Sequence, residues 1–185
     1  MVDPSLGEAT FREDQAVAFE GALDRFLADC AAHSTCAFYS GGRPGSAFDA
    51  LMGQIERHPV ATPRLTNREP VGAAATRFTA VAPRVGRLLA FNDVECAYWP
   101  APPVRVPAPV AAPGAPPILL VGSTGDPATP YAWAQDVARQ LSSAVLVTRV
   151  GDGHTGYLVS GCVRDAIDAY LLDRSVPAVG LRCTR

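Results

Sequence analysis

Two polar side chains stand at the ends of glycine-rich runs, where they could do chemistry. Asp126 follows Gly122-Ser123-Thr124-Gly125, and His154 follows Gly151-Asp152-Gly153. A carboxylate that accepts a hydrogen bond from one imidazole nitrogen fixes the tautomer of the ring. It also stabilises the imidazolium formed when the other nitrogen takes a proton from a nucleophile. The 28 residues from Asp126 to His154 leave room for a loop, a helix, a strand and a second loop. Gly151 and Gly153 suit a turn that must present a side chain without steric cover. Each residue alone has a plainer role, since aspartate is a common turn former and a lone histidine in a glycine-rich loop has many uses. The pair carries more weight than either member.

The segments around the pair read as alternating strand and helix. Ile118-Leu119-Leu120-Val121 is a short apolar run that ends in a turn, the pattern of a buried strand. Tyr131 to Leu141 places Trp133, Val137 and Leu141 at helical spacing. Ala144 to Val150 is rich in β-branched residues and reads as a second strand. Leu158 to Leu172 places Leu158, Cys162, Ala166, Ala169 and Tyr170 along one face and reads as a helix. A strand-helix-strand-helix order predicts a parallel pair with covered faces. Loops past the carboxyl ends of such strands are where α/β folds place their chemistry, and both Asp126 and His154 fall there.

The first half reads as helical. Phe19, Leu23, Phe26, Leu27 and Cys30 form one apolar stripe within Phe11 to Cys30. Ser46 is expected to cap a short helix, Ala47 to Arg57, which Pro59 stops. Thr62 to Pro70 reads as loop. Val71 to Phe91 reads as helix with a break at Pro83. Eight of the eighteen residues from Pro100 to Pro117 are proline, which predicts an extended, stiff connector. The expected organisation is a helical region over 1–99, a connector over 100–117 and an α/β unit over 118–185.

Composition narrows the function classes. The formal net charge is -2, with 16 arginines and no lysine, which gives no electrostatic reason to expect nucleic acid or an anionic membrane as partner. No run of 18 apolar residues suggests a membrane span. Met1-Val2-Asp3-Pro4-Ser5 has neither the basic nor the apolar region of a signal peptide. His33 and His58 read as solvated helix-end residues, and no spacing joins the three histidines to any cysteine as a metal site. Gly122-Ser123-Thr124-Gly125 lacks the Gly-Lys-Ser/Thr of a phosphate loop and the pattern of a dinucleotide fold. Neither metal nor cofactor is expected.

These stretches resemble the C-terminal part of the actinobacterial tripeptidyl-aminopeptidase-like serine hydrolases, an α/β-hydrolase group. Three stretches carry the resemblance: Pro117 to Tyr131 with Trp133-Ala134; Gly151-Asp152-Gly153-His154; and Ser160-Gly161-Cys162 through Tyr170-Leu171 to Val176-Pro177 and Cys183. Asn92 to Pro100, Ala18-Phe19-Glu20, Phe26 to Cys30 and Cys36-Ala37 resemble the family's upstream segments and helical lid, and Val2-Asp3-Pro4 the segment after its nucleophile strand. The resemblance implies that Asp126 and His154 are the acid and base of a Ser-His-Asp triad. It implies an α/β fold in the form of an incomplete α/β-hydrolase: a helical lid followed by the last two parallel strands and their helices. It further implies a peptide or a small ester or amide as substrate, and a secreted or cell-envelope location.

The nucleophile of that triad would sit on a Gly-x-Ser-x-Gly elbow ahead of the aspartate. No such elbow occurs in the sequence, and Ser123, Ser40, Ser46, Ser142 and Ser143 all fail the pattern. The expectation is that the nucleophile, most of the central sheet and any secretion signal belong to a missing N-terminal half, which is also a candidate partner. The alternative is a catalytically inactive remnant or a binding module. The two strands would then be edge strands of a larger sheet.

The chain has five cysteines. Cys30 and Cys36 flank a helix end and are close enough for a small closed loop. A bridge from Cys162 to Cys183 would pin the C-terminus across the last helix, and similar cysteines in the family are disulfides of secreted proteins. Cys96 is left over, either as a free buried thiol or with a partner in the missing half.

Overall fold

Consecutive apolar residues at 118–121 suit a strand covered on both faces, and in a computed structural model of the chain they open a parallel sheet. The structure describes residues 8–57, 69–90 and 107–184. Cys96, His58, the segment 91–106 and the first seven residues lie outside the described residues. The chain divides into two compact units, one made of residues 1–18 with 101–185 and the other of 19–100.

In the first unit, β1 (Ile118–Gly125), α5 (Tyr131–Gln140), β2 (Ala144–Asp152), α6 (Gly161–Asp173) and β3 (Arg182–Cys183) follow one another. The helices that precede them in the chain are α1 (Glu8–Ala32), α2 (Pro44–Arg57), α3 (Glu69–Val81) and α4 (Gly86–Leu89). The sheet order is β1-β2-β3 and both pairings are parallel. The α/β class therefore stands, with one addition: the described residues hold three strands where two were expected. β2 is paired on both sides, so it is an inner strand here and not an edge.

Successive side chains of a strand point to opposite faces, and the packing follows that rule. Leu119 and Val121 pack with Val147 of β2, Val163 and Ile167 of α6, and Cys183 of β3. On the other face the Tyr131 hydroxyl meets Thr148 Oγ1 at 2.6 Å. A Cβ at Gly122 would stand 2.8 Å from Ala134 Cβ and 2.9 Å from the Tyr131 ring, so this close helix-strand approach requires glycine. Trp133, Leu120 and Val137 are buried. Each such fully buried apolar side chain contributes about 1.5–3 kcal/mol.

The start of α1 packs with this unit. Phe11 stacks on Trp133 with ring centroids 4.6 Å apart, and Trp133 Nε1 donates to Asp14 at 2.7 Å. The described part of the connector, 107–117, has no regular structure but is fastened by Gln140, Ser143 and the Tyr170 hydroxyl, which bond to Val110, Pro116 and Pro117.

Several elements differ from expectation. α2 starts at Pro44, because proline suits the first helical turn, and Ser46 lies inside the helix. α6 starts at Gly161, not Leu158. Ser160 is its N-cap, its hydroxyl accepting from the Val163 N–H, and Leu158 is 84% exposed. The buried face of that helix carries Val163, not Leu158. β3 escaped detection because two residues carry no periodicity.

In the second unit, Pro83 does interrupt the helical run, between α3 and α4. The Glu20 carboxylate accepts the Arg84 N–H at 3.0 Å and the Val85 N–H at 3.0 Å, which supplies acceptors for the opened turn. Gly86 lies so close to the Phe78 carbonyl that a Cβ would stand 2.2 Å from its oxygen. Disulfides join Cys30 to Cys36 here and Cys162 to Cys183 in the first unit.

Candidate acid-base site

The Asp126 turn builds its own cradle. The chain leaves β1 at Gly125 and turns through Pro127, and the Asp126 carboxylate accepts the N–H groups of Ala128 (3.0 Å) and Thr129 (2.9 Å). The Thr129 hydroxyl donates to the other oxygen at 2.9 Å. Such local side-chain-to-backbone bonds are what aspartate offers a turn. Asp126 is thereby oriented before any long-range partner arrives.

His154 arrives in the turn just past the neighbouring strand. Its Nδ1 lies 3.0 Å from Asp126 Oδ1 and 2.9 Å from Oδ2, with the Thr129 hydroxyl oxygen 3.3 Å away. The acceptor-only carboxylate requires that Nδ1 carry the proton. Nε2 is then left with its lone pair and has no protein partner among the described residues. The exposures are unequal: the Asp126 side chain is 5% accessible and that of His154 51%. Burial pushes the Asp126 carboxyl up, but the Thr129 N–H, His154 and the Thr129 hydroxyl outweigh it and hold the group below its ordinary value.

The ends of the two strands are stitched together. The register runs evenly from Ile118↔Ala144 to Ser123↔Arg149 and then shifts, so that Gly125 faces Asp152. That bulge adds a residue to β2 and re-aims the chain just ahead of His154. The Gly153 N–H reaches the Gly125 carbonyl at 3.2 Å, and the Gly151 N–H reaches the Thr124 hydroxyl at 3.0 Å. Gly153 has φ 101° and Thr155 has φ 66°. The first is glycine's natural territory. The second is unusual for a β-branched residue and stores roughly 1–2 kcal/mol of strain.

A cleft of about 230 Å³ opens beside the pair, lined by Val121, Ser123, Asp126, Thr129, His154 and Tyr157 among others. Ser123 is 2% exposed and sits within β1, which agrees with its failure to fit a nucleophile pattern. Thr129 escaped the sequence reading, although a threonine three residues after an aspartate in a turn is a readable cue. His33 is exposed and its Nδ1 bonds the Asp29 carbonyl at 2.8 Å. No group of three or more metal-ligating side chains occurs among the described residues, and none of their helices is long and apolar enough to cross a membrane.

Comparison with known proteins places the chain. Residues 82–183, more than half of it, match the family model of the TAP-like proteins. The chain belongs to the TAP-like family of α/β-hydrolases. Serine protease Hip1 of Mycobacterium tuberculosis is 34% identical to this TAP-like chain over 148 residues, which is 78% of the chain and 28% of that protein. Carboxylesterase B of the same organism is 42% identical over 108 residues, 58% of the chain and 19% of that protein. Tripeptidyl aminopeptidase of Streptomyces coelicolor is 33% identical over 99 residues, 51% of the chain and 18% of that protein. The TAP-like chain thus spans between 18% and 28% of the length of these curated relatives. Its three-stranded parallel sheet with flanking helices agrees with an α/β-hydrolase-type fragment.

Proposed function

We propose that Asp126 and His154 are the acid and base of a Ser-His-Asp triad, in the C-terminal portion of a serine hydrolase whose nucleophile lies outside these 185 residues. The observation that carries this reading is the hydrogen bond from His154 Nδ1–H to the buried Asp126 carboxylate, which leaves Nε2, on a half-exposed ring, as the nitrogen with the lone pair that a serine hydroxyl needs from its base. The Asp-before-His order is that of α/β-hydrolases. The family and its peptidase and esterase relatives support the reaction class, acyl transfer from a peptide or a small ester or amide. The helical region over 1–99 supplies the lid. Two disulfides support an oxidising, extracytoplasmic location.

The lack of a Gly-x-Ser-x-Gly elbow in the sequence favours a second reading for the chain by itself, a catalytically inactive remnant or binding module. A fluorophosphonate probe separates the two. The 185-residue chain should not label. A longer product of the same reading frame, or the chain combined with a companion N-terminal polypeptide, should label on serine and lose labelling on His154→Ala. Labelling of the chain alone would overturn the proposal, and a stop codon immediately upstream with no companion gene would favour the remnant.

A further inference from the structure

The turn that presents His154 is strained at Thr155, and a strained turn keeps its shape only where its surroundings hold it. Two side chains from the strands do so. Arg149, on β2, donates from Nη1 to the carbonyls of Asp152 at 2.9 Å and Gly153 at 3.4 Å, the two residues just before His154. The same nitrogen lies 3.4 Å from Ser123 Oγ. Ser123, buried on β1, donates its hydroxyl to the Thr155 carbonyl at 3.2 Å, the residue just after His154. All these acceptors are neutral, so a permanently charged guanidinium is spent on bracing backbone. The histidine is bracketed on both sides by one connected chain: Asp152 and Gly153 to Arg149, to Ser123, to Thr155.

The geometry points to Arg149 and Ser123 as positioning residues for the acid-base pair, a clamp that holds the 151–156 turn so that His154 Nδ1 stays on Asp126. This rests on the reading of Asp126 and His154 as a functional pair. It gives a task to the Gly-Ser-Thr-Gly stretch, which serves neither as nucleophile elbow nor as phosphate loop. Arg149 lines neither the Asp126 oxygens nor the reacting nitrogen, so its action on them is through the backbone.

The test is NMR on the full 185-residue chain, which needs no activity. The readouts are the downfield His154 Nδ1–H resonance and amide exchange through 151–156. Arg149→Met and Ser123→Ala should each speed exchange in that turn by roughly tenfold, the loss of one or two hydrogen bonds, and broaden or remove the Nδ1–H signal. Exchange in α5 should stay as it was. Arg149→Lys, which can still reach one carbonyl, should recover part of both. Wild-type exchange and signal in both variants would overturn the clamp, as would faster exchange spread evenly over β1 and α5. If Arg149→Met fails to fold, Ser123→Ala decides by the same criteria. Asp126→Asn is the separate control: if it leaves the Nδ1–H signal in place, the acid-base reading fails whatever the clamp variants do.

Discussion

Thr129 offers the Asp126 carboxylate both its backbone N–H and its hydroxyl, each at 2.9 Å, one to each oxygen. The carboxylate is therefore held by its own turn, and His154 adds to a group already in place. Pre-organisation of this kind lets the bond to His154 form without reorganising its acceptor.

The same bonds make stability depend on acid. The folded Asp126 carboxyl sits below its ordinary value of 3.8. A depressed folded value means that the stabilisation is present above the unfolded value and is lost as pH falls through the folded one. Melting temperatures measured from pH 6 down to pH 2 should drop in the acid limb, and Asp126→Asn should flatten that limb. Parallel curves would remove Asp126 from the account.

Trp133 fastens the start of α1 to α5 by a ring stack and a hydrogen bond, and two substitutions separate them. Trp133→Phe keeps a stacking ring but strands the Asp14 carboxylate, at a cost of about 1–2 kcal/mol. Trp133→Ala loses both and leaves a cavity, at a cost of about 3–5 kcal/mol. Urea titration followed by circular dichroism checks the order.

Glu20 is 7% exposed and supplies the acceptors for the turn at Pro83. Glu20→Ala should cost about 2–4 kcal/mol, because two N–H groups lose their partner. Glu20→Gln keeps one carbonyl oxygen and should fall between. Hydrogen exchange at Arg84 and Val85 reports the effect locally.

The Cys162–Cys183 bridge holds a strand of two residues against the sheet. Cys162→Ser with Cys183→Ser should cost about 2–4 kcal/mol and release β3, seen as loss of protection at Thr148, whose N–H bonds the Leu181 carbonyl. Non-reducing peptide mapping of the unaltered chain should recover the 30–36 and 162–183 links, and free thiols at 162 and 183 would contradict the structure.

What the sequence made legible was local. Ile118 to Val121 and Ala144 to Val150 announce strands by composition, Trp133 and Val137 a helix by spacing, and Asp126 and His154 a pair by their turns. Features set by distant partners were not readable. Nothing near Phe11 or Asp14 says that they pack on Trp133, 119 residues from Asp14. Leu158 looked like helix core because its spacing fits, yet Ser160 offers a better start by bonding the Val163 N–H. Arg149 looked like any strand residue, since the carbonyls it braces exist only after the turn bends. Thr155 gave no warning of a left-handed backbone, because its residue type argues against one.

The parallel register of β1 and β2 has a consequence for mutation. Asp126 and His154 hang from the ends of two rods, and their separation reads out how the rods are aligned, as a vernier does. A slip of one residue would shift one end by roughly 3.3 Å and send every inward side chain to the opposite face. Pairings such as Leu120↔Leu146 and Val121↔Val147, several residues back from the pair, forbid that slip. A buried valine in mid-strand is thus as much a determinant of the distance from Asp126 to His154 as the threonine that touches the carboxylate.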